Sequence, residues 1–149
     1  MTSKYNHINI IIVVSEFNSQ VVSELLDGLF EACSLYDKIN NDNILIYKVP
    51  GAFEIPGAVS CIIKNKKPDI IITLGSIIRG ETSHYDHIAE NCARGISDLS
   101  ILYNIPIIFG VLCTENLEQA LLRAETKGKD MLDAAIKTYD EYQKIKKNN

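Results

Sequence analysis

Residues 8–14 read Ile-Asn-Ile-Ile-Ile-Val-Val, apolar except at Asn9 and ending in two valines. A short run without polar alternation is the pattern of a strand covered on both faces. Three more such runs follow, at residues 44–49, 69–74 and 107–113, separated by stretches of helical length. Parallel strands need helical crossovers, and those crossovers are right-handed. The alternation therefore confines the chain to the α/β class, as a three-layer sandwich with helices flanking a four-stranded parallel sheet. Ligands of such sheets bind beyond the carboxyl ends of the strands. The segments expected to meet there are residues 15–18, 50–54, 75–84 and 113–116.

The intervening stretches carry helical stripes. After Ser15-Glu16-Phe17-Asn18 breaks the first run, Val22, Leu25, Leu26, Leu29, Cys33 and Tyr36 share one face, with Glu24, Asp27 and Glu31 opposite. Residues 40–43 form a loop. Pro50-Gly51 ends the second strand, and Pro56 suits a first helical turn. That helix runs through Ala58, Val59, Ile62 and Ile63 to a Lys-rich turn before Pro68. The third strand enters a loop marked by Gly75 and Gly80. A Ser-x-x-Asp cap, Ser83 to Asp86, then opens a helix. Tyr85, Ile88, Ala89, Cys92, Ile96, Leu99 and Tyr103 form its buried face. Thr114 or Asn116 is placed to cap a short helix over residues 117–123, and Thr126-Lys127-Gly128 separates it from a final helix.

With 149 residues, the chain makes one domain, able to bury roughly two-thirds of its unfolded surface. A net charge of −4 gives no field for nucleic acid. The small clusters at residues 64–67 and 144–147 read as a solvated turn and tail. Four cysteines lie far apart without C-x-x-C, each in an apolar run, as buried reduced thiols of a cytoplasmic protein would. Lys4 precedes an apolar run that is too short, and too interrupted by Asn9, for a signal peptide. No run nears the ~20 apolar residues that span a membrane.

Candidate chemistry gathers at the strand ends. His84 falls in a first helical turn, where backbone N–H groups and the helix dipole favour an anion. Its side chain can also give and take protons near neutrality. His84 and His87 share a helical face, yet no third ligand is evident for a metal. In Pro50-Gly51-Ala52-Phe53-Glu54-Ile55-Pro56, small residues let backbone N–H groups approach a planar ligand while Glu54 accepts from its donors. A plain strand-to-helix turn is the alternative. Phe17 is placed to stack on a ring, or to be core. Arg123 and Lys127, across a short turn, can hold a phosphate, or can be a solvated helix end. The segment 75–80 is neither G-x-G-x-x-G nor a P-loop.

Together, residues 49–56, 74–86 and 109–116 resemble the lumazine synthase family in order and register from residue 10 to 136. The resemblance implies a flavodoxin-like parallel sheet. It also implies a condensation, without metal or redox cofactor, of 5-amino-6-(D-ribitylamino)uracil with 3,4-dihydroxy-2-butanone 4-phosphate. The product is 6,7-dimethyl-8-ribityllumazine, the penultimate compound of riboflavin biosynthesis. Its implied pyrimidine site is Phe17, Ala52, Phe53, Glu54, Ser76, Ile77 and Ile78, with Phe109 from a neighbouring subunit. Its phosphate-ketone site is Glu81, Thr82 and Arg123, joined by Lys127, and its proton carrier is His84. The family self-associates into pentamers or sixty-subunit shells. This chain departs from the family pattern in a stretch about four residues shorter between Arg123 and the Lys127-Gly128 pair. It also has only seven residues before its first strand, where the family often has a longer arm. A non-catalytic flavin- or pterin-binding module, or a shell protein with a vestigial site, are the competing readings; neither needs both His84 and Arg123.

Overall fold

A computed structural model of the chain describes residues 8–36 and 39–147. The arm at residues 1–7, Lys4 included, lies outside the described residues. Four strand–helix units follow in order: β1 (Ile10–Ser15), α1 (Ser19–Cys33), β2 (Ile44–Val49), α2 (Ile55–Lys66), β3 (Ile70–Ile78), α3 (His84–Tyr103), β4 (Ile107–Thr114) and α4 (Leu117–Lys147). All pairings are parallel, in the order β2-β1-β3-β4. The chain thus winds outward from β1 to β2, then returns past β1 to β3 and β4. The direction of winding reverses between β1 and β3, which opens a crevice at their carboxyl ends.

Burial follows from this layering. Every residue of β1 is buried, as its uniform apolar run requires. Ile10, Ile12, Val14, Ile70, Ile72 and Leu74 pack toward α1 and α4. Ile11, Val13, Ile71 and Val111 pack toward Ile55, Val59, Cys92 and Ile96 of α2 and α3. Strand alternation assigns the two sets to opposite faces. The edge strand β2 is different, leaving Leu45 and Ile46 exposed.

Several expectations need correction. The glycine-marked segment after residue 74 is not loop throughout: β3 continues to Ile78, because β4 extends the ladder with Gly75 opposite Val111 and Ile78 opposite Thr114. At Gly75 a β-carbon would lie 2.7 Å from Ser15 Oγ, so a larger residue there would have to turn that hydroxyl aside. Residues 117–147 are one unbroken helix rather than two. Gly128 sits inside it, against Gly28 of α1. No turn therefore separates Arg123 from Lys127. Asn116, not Thr114, caps α4: its Oδ1 accepts from Gln119 N at 2.8 Å. Ser83 does begin α3, but its hydroxyl makes no capping bond. Residues 41–43 form a 3-10 turn in which Asn40 Oδ1 accepts from Asp42 N. Cys33 and Cys92 are buried and Cys113 half-buried, all free, whereas Cys61 is exposed. It lies off the α2 stripe formed by Ile55, Val59 and Ile62. Among the described residues, no helix is long and apolar enough to cross a membrane.

Candidate functional site

The crevice between β1 and β3 widens into a cavity of about 760 Å³. Three strand–helix junctions wall it. The first supplies Phe17 and Asn18, the second Pro50, Gly51, Ala52, Phe53 and Glu54. These two are zipped together by Glu16 N donating to Val49 O and Phe17 N to Pro50 O, at 2.8 and 3.1 Å. Phe17 and Phe53 are 71% and 61% exposed, so two aromatic faces line a cavity rather than fill a core. The Glu54 carboxylate is fixed beside them, accepting from Gly51 N at 3.1 Å.

The third junction gives the floor and mouth. Ser76, Ile77 and Ile78 belong to the overhang of β3 beyond β1. By alternation the Ser76 side chain points with Leu74 toward α1 and α4, so its backbone faces the crevice. Asn18 Nδ2 donates to Ser76 O at 2.9 Å, which ties the first junction to the floor. Asn18 itself has φ 58°, a left-handed conformation that asparagine tolerates well. Gly80, Thr82, His84, Tyr85, His87 and Ile88 complete the mouth. His84 N donates to Thr82 Oγ1 at 3.3 Å, while the Ser83 carbonyl accepts from Asp86 N and His87 N.

Just outside the mouth stands Arg79. Its Nε lies 2.9 Å from Glu115 and its terminal nitrogens 3.3–3.4 Å from both Asp86 oxygens. Its carbon Cζ is 4.4 Å from the centre of the Tyr85 ring. Hydrogen bonding to Glu115, then to Asp86, pushes the guanidinium above its ordinary range against some desolvation. Burial raises the Tyr85 hydroxyl, which is a neutral phenol near pH 7.

Comparison with known proteins fits this arrangement. The sequence profile of the 6,7-dimethyl-8-ribityllumazine synthase family matches residues 7–143. The chain belongs to the lumazine synthase family. A 6,7-dimethyl-8-ribityllumazine synthase of Limosilactobacillus reuteri (strain DSM 20016) is 44% identical over 128 residues, covering 85% of this chain and 82% of that protein.

Of the positions implied by the lumazine synthase resemblance, Phe17, Ala52, Phe53, Glu54, Ser76, Ile77, Ile78, Thr82 and His84 line one cavity. Glu81 is exposed on the neighbouring loop and is not in the lining. Phe109 lies on β4, 37% exposed, away from the cavity of its own chain. Arg123 and Lys127 lie on α4, which packs with α1 on the sheet face opposite α2 and α3. The fourth predicted junction, residues 113–116, stays outside the lining but borders it, with Cys113 and Thr114 paired to Ile77 and Ile78 of β3 and Arg79 N donating to Thr114 O at 2.9 Å. Of the other lining residues, Asn18 falls in the segment 15–18 expected at the site, His87 is weighed in sequence only as a metal partner of His84, and Tyr85 and Ile88 are expected on the buried face of α3. Asn18 carried a readable signal, an asparagine at a strand end; the other three needed the orientation of α3.

Proposed function

We propose that this cavity is where the enzyme condenses 5-amino-6-(D-ribitylamino)uracil with 3,4-dihydroxy-2-butanone 4-phosphate, releasing phosphate and water and forming 6,7-dimethyl-8-ribityllumazine. The observation that carries the proposal is convergence. Phe17, Glu54 and His84 come from three junctions far apart in sequence yet line one cavity, in a chain of the matching family. The flat pyrimidine lies against Phe17 and Phe53, with Glu54 and the backbone at 76–78 meeting its polar edge. The pyrimidine amine attacks the ketone to give an imine with loss of one water. Phosphate is then eliminated, and after the resulting enol becomes a carbonyl the ribitylamino nitrogen closes the ring on it with loss of a second water. His84 moves protons during imine formation and during phosphate elimination. Holding two reactive partners together supplies much of the acceleration.

Charge supports one further part of the proposal. Among the described residues, neither lysine nor arginine lines the cavity, and the nearby Arg79 is already shared by two carboxylates. A phosphate needs a cation. The N-terminal N–H groups of α3 meet only part of that need. Arg123, with Lys127 one helical turn on, is therefore the cation of a neighbouring copy, and the exposed Phe109 arrives in the same way. Self-association into pentamers or sixty-subunit shells then completes the site. The free thiols suit a cytoplasmic setting.

The test is kinetic, following lumazine absorbance with both substrates. Arg123→Ala raises KM for the phosphate ketone while KM for the pyrimidine changes little. An unchanged KM together with unchanged turnover would refute the assignment.

A further inference from the structure

We propose that Arg79 is a positioning residue whose guanidinium fork holds the first turn of α3, and with it His84, at the mouth of the cavity. The inference rests on the reading that His84 acts there. Its starting observation is that the beginning of α3 has weak support of its own. Ser83 gives no side-chain cap. Residues 79–84 are exposed, and His84 N donates to the exposed Thr82 Oγ1 at 3.3 Å. An imidazole on a frayed turn would sample many positions, and proton transfer is sensitive to small displacements.

Arg79 supplies what the cap lacks. Its backbone is fixed to the sheet, because its N–H continues the β3–β4 ladder to Thr114 O. From that anchor the side chain spans both oxygens of Asp86, on the first turn of α3, and Oε2 of Glu115. It also covers the ring of Tyr85, the residue next to His84. The Glu115 end is itself firm: Glu115 N donates to Gln119 Oε1 at 2.9 Å, and Thr114 Oγ1 donates to Asn116 O at 2.9 Å. One planar group thus joins the sheet, the helix start and the β4–α4 junction.

The side chains of Arg79, Asp86 and Glu115 are 40%, 55% and 60% exposed. Exposed ion pairs contribute little to stability, so the purpose of the arrangement is geometric. Lysine would keep the charge but cannot present a fork to two carboxylates and a ring at once. With two carboxylates against one guanidinium, Arg79 is also no anion site in its own right.

The experiment compares Arg79→Met, Arg79→Lys and the double variant Asp86→Asn/Glu115→Gln in the assembled enzyme. All three lower kcat about tenfold, in line with the cost of a small misplacement, while KM for both substrates stays within about twofold. They also speed amide hydrogen exchange over residues 82–88. In a His84→Ala background, Arg79→Met lowers kcat by less than about twofold, because the positioned group is gone. Equal losses in both backgrounds, wild-type kinetics for Arg79→Lys, or unchanged exchange over 82–88 would each overturn the proposal. Failure of the underlying reading looks different: His84→Ala alone would then turn over as fast as wild type, whatever Arg79 does to exchange.

Discussion

The imidazole of His84 stands at the mouth of the cavity, and under the proposed function the rest of the lining binds and orients the substrates. That division sets the expected size of its contribution. Removing a proton carrier from a site that still holds both substrates together leaves the proximity effect intact. His84→Ala therefore slows turnover by about ten- to a thousand-fold, the lower end falling below the usual range for acid–base groups. Complete loss of activity in a folded variant would contradict it. The buried thiols make a separate prediction. Burial pushes the Cys33 thiol up to about 11 and the Cys92 thiol up to about 12, from an ordinary 9.0. The native state therefore holds these protons more tightly than the unfolded chain does. Their contribution to stability is complete below about pH 9 and is lost as pH climbs through the raised values. Urea titrations across that window show the decline, and replacing both cysteines with alanine makes it shallower.

Among the elements, the glycines divide the legible from the hidden. Gly75 and Gly128 both read in sequence as punctuation, and both lie inside regular structure. What a β-carbon would meet differs: at Gly75 the Ser15 hydroxyl, at Gly128 the backbone of α1 itself. At Gly128 such an atom would lie 2.7 Å from Leu29 N and closer still to the Leu25 carbonyl oxygen. No flexible side chain is there to give way. Gly128→Ala gains about 1 kcal/mol of helix propensity, but forcing α1 and α4 apart costs about 1–3 kcal/mol. The clash outweighs the propensity, and the midpoint of chemical unfolding shifts down. A more stable variant would show that the two helices can separate freely. The uninterrupted α4 also changes the meaning of the short stretch before Lys127. Arg123 and Lys127 stand one helical turn apart on a stiff rod, so they present their charges together.

For the whole molecule, the question is where one site ends and the next copy begins. The cavity lies on the α2/α3 side of the sheet, and Arg123 is carried on the α1/α4 side. If a neighbour brings Arg123, two crippled variants complement each other. Unfolding and refolding His84→Ala with Arg123→Ala in equal amounts gives mixed assemblies. About one site in four then regains both groups by random association around a closed ring, and activity rises above the average of the two parents. No rise on mixing would mean that each chain completes its own site.

The residues alone settled the order and type of nearly every element, because uniformly apolar strands and striped helices report their surroundings directly. β2 was read to the residue, and the turn at residues 50–56, Phe17 and His84 stood out by chemistry and resemblance. Only the folded chain could decide that β3 overhangs β1, that Arg79 joins three elements, and that α4 runs unbroken past Gly128. Those features arise where segments distant in sequence press against one another. A local pattern records what a residue prefers, whereas the space left by its neighbours exists only after the layers have closed.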